Sequence, residues 1–116
     1  YWLENERIEG EHRWTRHTID ASFSGGHSPL WEDLDGDGNN EFIVGKRYLP
    51  HEGADPGEFD PLVGYRYQFD ATTRTWQRWT ITENQPVGYG LDPKVVDLDG
   101  DGDLDLLCGG RHGLYW

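Results

Sequence analysis

Apolar positions along this chain fall in short clusters separated by turn residues, with no long helical stripe. Phe42-Ile43-Val44 and Leu106-Leu107-Cys108 are β-type runs, each followed by glycine. The pattern predicts strands at Tyr1–Leu3, Arg13–Ile19, Pro29–Leu34, Glu41–Tyr48, Gly64–Phe69, Thr75–Ile81, Pro93–Leu98, Asp105–Arg111 and Gly113–Trp116. No run of ~18 apolar residues occurs, so no membrane-spanning helix and no membrane insertion are expected. The expected class is all-β.

The pattern also repeats. Asp33-Leu34-Asp35-Gly36-Asp37-Gly38 returns as Asp97-Leu98-Asp99-Gly100-Asp101-Gly102, 64 positions later. Trp14-Thr15-Arg16-His17-Thr18-Ile19 is answered by Trp76-Gln77-Arg78-Trp79-Thr80-Ile81, and Pro29, Gly45 and Arg47 by Pro93, Gly109 and Arg111. The unit is about 50 residues, and the first copy is longer through an insertion at 49–62 that carries three prolines. Four strands per ~50 residues is the signature of a β-propeller blade. The chain reads as a single domain over 1–116, with repeats at about 1–62 and 63–116. It holds about two four-stranded antiparallel blades: one whole, Pro29 to Ile81, with two strands before it and three after. Two blades cannot close a ring of about 4–8. The expected partners are therefore other copies, or the remainder of a larger propeller, joined through edge strands. The chain begins and ends on strand-like residues, and a processed product or a piece of a longer protein is the expectation.

Composition sharpens this picture at few points. Sixteen glycines, six tryptophans and no methionine suit short strands and many turns. The formal charge of −12 argues against nucleic acid and anionic membrane surfaces. Much of it is local: Asp33, Asp35, Asp37, Glu41, Asp97, Asp99, Asp101 and Asp105 sit in two nine-residue windows. The single cysteine, Cys108, permits no intrachain disulfide and reads as a small buried hydrophobe.

Those two windows carry the clearest chemistry. Carboxylates at alternate positions converge on one point if the backbone curls tightly, and glycine tolerates the positive φ that the curl needs. The first loop offers Asp33, Asp35, Asp37, the carbonyl of Asn39 and a closing carboxylate from Glu41. The second offers Asp97, Asp99, Asp101, the carbonyl of Asp103, and Asp105. Sets made only of oxygen select Ca²⁺, giving two expected calcium sites. A helical EF-hand is excluded because its position 12 falls on Val44 and Cys108 in place of an acid.

An apolar strand, Asp-Leu-Asp-Gly-Asp-Gly, a second apolar strand and then glycine resembles the FG-GAP/VCBS repeat family over nearly the whole chain. That resemblance implies calcium-binding propeller blades. A narrower one rests on Gly45-Lys46-Arg47-Tyr48, His51, Asp55-Pro56-Gly57, Asp60-Pro61 and Gly113-Leu114-Tyr115-Trp116. These segments are similar to the propeller of aldos-2-ulose dehydratase and its bacterial relatives, which implies water elimination from keto-sugars with a metal in the propeller.

Candidate residues outside the loops differ between the repeats. His27 stands where the second copy has Leu91, and His51 and Asp55 lie in the unshared insertion. Together they offer a mixed nitrogen and oxygen set that would admit Zn²⁺. The plain alternative is solvated loop residues. Lys46, replaced by Gly110 in the second copy, reads as a substrate-facing acid/base, so the catalytic candidates are His27, His51 and Lys46. Arg47, repeated as Arg111, reads as a brace between blades or toward a carboxylate.

Three functions remain open. The first is a calcium-stabilised module with a structural or interaction role in an extracellular or periplasmic setting. The second is a carbon–oxygen lyase acting on sugars, and the third a carbohydrate-binding lectin.

Overall fold

The computed structural model describes residues 1–116, which form nine strands and no helix. They are β1 Trp2–Ile8, β2 Glu11–His17, β3 Gly26–Glu32, β4 Glu41–Lys46, β5 Val63–Asp70, β6 Thr75–Glu83, β7 Lys94–Val96, β8 Asp105–Gly110 and β9 Gly113–Tyr115. Every pairing is antiparallel, in sheets ordered β1-β2, β3-β4-β5-β6 and β7-β8-β9. The four-stranded sheet straddles the expected repeat boundary at 62–63. No closed barrel or ring is formed by these three sheets.

Local chemistry explains where the strands stop. Glu9 and Gly10 both have positive φ, 52° and 91°, between the paired residues Ile8 and Glu11. Positive φ at both central residues matches the right-handed twist of a two-residue hairpin, so β1 runs well beyond the expected Leu3. At the β5–β6 turn, Asp70 Oδ1 accepts the N–H groups of Thr72 and Thr73 at 2.8 and 3.2 Å, closing the chain on itself. β7 is shorter than expected, starting after Pro93, which has no N–H to give to a ladder.

The core is small and lies around the four-stranded sheet. Ile43 and Val44 are both buried although they point to opposite faces of β4, so this central strand is covered on both sides. Val44 packs with Val63, Tyr65 and Tyr67, flanked by Phe23, Phe42 and Trp76. Ile43 packs with Tyr89 and Cys108, which joins the second sheet to the third. Burial pushes the Cys108 thiol up to about 11, as befits an unreactive packing residue.

Tyr89 sits flat on the sheet where two strands have no side chain. A Cβ added at Gly45 or Gly64 would lie 1.9 or 2.1 Å from its side chain. Its N–H donates to Lys46 O at 3.1 Å, tying the segment after β6 to the end of β4. On the other side, Asp20 accepts from the Tyr67 hydroxyl at 2.7 Å and from Arg78 at 2.9 Å. Burial works against the Asp20 carboxylate, but the bonds from Ser22, Tyr67 and Arg78 hold its pKa far below the usual range.

Candidate metal centre

The β3–β4 and β7–β8 connections share their curl and three equivalent hydrogen bonds. Gly36 and Gly38 have φ of 71° and 89°, and Gly100 and Gly102 have 81° and 97°. Those left-handed residues curl each loop back on its opening aspartate. Gly38 N–H donates to Asp33 Oδ2 at 3.0 Å, and Gly102 N–H to Asp97 Oδ2 at 3.1 Å. Asn39 N–H donates to Asp37 Oδ1 at 2.7 Å, and Asp103 N–H to Asp101 Oδ1 at 2.9 Å. Leu34 N–H donates to Glu41 Oε2 at 2.9 Å, and Leu98 N–H to Asp105 Oδ2 at 3.0 Å.

The curl brings three carboxylates together in each loop. One oxygen from each of Asp33, Asp35 and Asp37 lies within 4.8 Å of the others, and the same holds for Asp97, Asp99 and Asp101. Three carboxylate oxygens that close together could hold a metal ion. Glu41 and Asp105, expected as closing ligands, lie outside both triads. Each gives one oxygen to the amide at the second loop position, and Glu41 is fully buried.

The two loops differ in their charge environment. In the first, Arg66 Nη1 contacts Asp35 Oδ2 at 2.8 Å, and Gln68 Nε2 donates to Asp37 Oδ2 at 3.0 Å. The Asn39 N–H and the Gln68 amide hold the Asp37 carboxyl below its ordinary range. Asp33 Oδ1 is buried and has no hydrogen-bond partner. The second loop receives only its own backbone N–H groups. The loops adjoin each other: Asp33 to Gly36 and Gly102 to Leu104 line one cavity of about 400 Å³.

The insertion gathers a second cluster, though with a different membership from the one expected. His51 Nδ1 bonds Asp55 Oδ2, and Glu58 completes the group, with ligand atoms of all three within 4.8 Å. Glu58 is buried and accepts the N–H groups of His51 and, at 3.4 Å, Asp55, so it braces the loop from inside. Sequence reasoning missed it, although its place three residues after Asp55 was a usable signal. Hydrogen bonding to Asp55 raises the His51 pKa, which keeps the ring protonated to higher pH.

Two expected catalytic residues are placed otherwise. His27 is not part of the cluster: its Nδ1 lies 3.1 Å from Ser28 Oγ. Lys46, expected to face a substrate, is fully buried. Its ammonium donates to Ser24 O and Ser24 Oγ at 3.3 Å and to Gly57 O. Three oxygens around a three-donor cation satisfy it, so Lys46 fastens the insertion to the chain before β3. Gly110 in the second repeat lacks that task because no insertion follows it. Compared with protein-family models, curated proteins and solved structures, the chain matches none.

Proposed function

We propose that this chain is a calcium-binding β-propeller repeat module of the FG-GAP/VCBS kind, with a structural or interaction role outside the cytoplasm. The observation that carries the reading is Asp33 Oδ1, buried and without a partner at the mouth of a triad of carboxylates. A buried anionic oxygen left unpaired is costly, and a divalent cation would satisfy it. The shared curl of the two loops, with three equivalent hydrogen bonds, supports a common ligand, although Asp97 Oδ1 accepts the Gly100 N–H at 2.7 Å where Asp33 Oδ1 has no partner. Oxygen donors alone favour Ca²⁺ over zinc or copper, and loops this exposed fit the weak sites of modules bathed in extracellular calcium. The edges of the two- and three-stranded sheets would pair with neighbouring strands of a larger propeller or of other copies.

Thermal melting tests the reading. Calcium should raise the melting temperature and chelation should lower it, because the ion binds the folded loops preferentially. A melting curve indifferent to chelator would remove the metal from the account.

The His51–Asp55–Glu58 cluster favours a second reading, a keto-sugar lyase. Under it, His51→Ala would abolish turnover while both calcium loops stayed occupied. Unchanged turnover in that variant would exclude His51 from the chemistry.

A further inference from the structure

Arg47 and Arg111 are two of four arginines, with Arg13 and Arg16, whose side chains make no hydrogen bond or ion pair within this strongly acidic chain, and of the four only these two share a cleft. Six of the ten cationic residues are held by partners within the chain: Arg66, Arg74, Arg78 and Lys94 by carboxylates, Lys46 by oxygens of Ser24 and Gly57, and Arg7 by a carbonyl. The side chains of Arg47 and Arg111 have no hydrogen bond and no carboxylate within ion-pair distance, so neither is the carboxylate brace that the repeat suggests. Both instead line one cleft between the second and third sheets, of about 230 Å³, to which no acidic residue contributes.

The repeat itself delivers them there. Arg47 follows β4 and Arg111 follows β8 at equivalent positions, and the next residues pair across the gap. Tyr48 and His112 pack ring to ring, with centroids 4.4 Å apart. The floor is glycine by necessity: a Cβ at Gly90 would lie 2.0 Å from Gly109 O, and one at Gly110 2.7 Å from Gly88 O. Gly88 is buried, and its N–H makes no backbone hydrogen bond. Two like charges held in one cleft repel each other, and a bound anion would relieve that repulsion. Guanidinium forks match the planar carboxylate and the tetrahedral phosphate or sulfate group alike.

We propose that this cleft binds a small oxyanion-bearing ligand, a carboxylate or a phosphate or sulfate group, gripped between Arg47 and Arg111. At ~30 Å³ per water the space equals about eight waters, which limits the ligand to a small molecule or one acidic end of a larger one. Tyr48 and Leu91 add an apolar wall suited to the carbon skeleton of such a ligand. The cleft shares no lining residue with the cavity between the two aspartate loops.

Calorimetric titration of the calcium-loaded chain in low-chloride buffer would test this, with sodium sulfate in one arm and sodium glucuronate in the other. At least one should bind with a Kd of about 1 mM or tighter. Arg47→Gln and Arg111→Gln should each weaken that binding at least about tenfold, with calcium stoichiometry unchanged. The arm that responds identifies the oxyanion. The proposal is overturned if neither anion binds, or if binding persists undiminished in both variants. Arg111 is exposed and free of intrachain bonds, so its variant alone suffices if Arg47→Gln does not fold.

Discussion

Arg66 makes the two loops unequal. It neutralises Asp35 across 2.8 Å and must release that carboxylate, or share it, when a cation enters. No cationic side chain contacts the second loop. The second loop should therefore fill first in a calcium titration. With the second site removed by Asp99→Asn, Arg66→Ala should tighten the first by about fivefold, since one nearby charge contributes on the order of 1 kcal/mol at a partly exposed site. Asp20 gives a second prediction at this scale. Asp20→Asn should cost about 2 kcal/mol at neutral pH, because hydrogen bonds to a charged partner contribute ~1.5–3 kcal/mol. The folded pKa is depressed, so this contribution is complete above the ordinary carboxylate value of 3.8 and is lost as pH falls below it. Urea melts of the two proteins should thus differ at pH 7 and converge in acid. A constant gap down to pH 2 would contradict the assignment.

At the scale of elements, the contact of Tyr89 with β4 and β5 holds the third sheet against the second. Gly45→Ala places a methyl group where the ring lies and should cost about 1–3 kcal/mol or more, the range for overpacking. Tyr89→Phe should be neutral or slightly stabilising, because the buried Tyr89 hydroxyl has no partner in hydrogen-bonding geometry. Melting temperatures of the two variants decide both points. These elements show what was legible beforehand. All nine strands overlap the segments that apolar runs and turn residues marked, because short antiparallel pairing is a local property, although β1, β2, β3 and β7 differ from them at their ends. The aspartate triads were legible too, since a six-residue loop dictates its own curl. The role of Lys46 was not legible, because its ammonium is fixed by Ser24 and Gly57, contacts made across 22 and 11 residues. Tyr89 was missed for the same reason: the glycines that receive it gave no sign in sequence of what would cover them.

For the molecule as a whole, too little is covered. A compact monomer of 13.4 kDa exposes about 6,500 Å² by the usual size scaling, whereas this chain exposes 7687 Å². Its radius of gyration is 15.9 Å where about 13 Å is ordinary for the length. Leu3, Trp14, Leu114 and Trp116, all in or next to the outer sheets, are exposed. The 116-residue chain by itself should therefore associate as its concentration rises, and light scattering that shows a monodisperse monomer at tens of micromolar would contradict open, pairing edges. Association and metal binding are independent tests, and the second bears on the central claim. Calorimetric titration with Ca²⁺ should give two ions per chain, falling to one in Asp33→Asn and to one in Asp97→Asn. A titration without heat, or a stoichiometry untouched by either substitution, would show that these loops are not calcium sites.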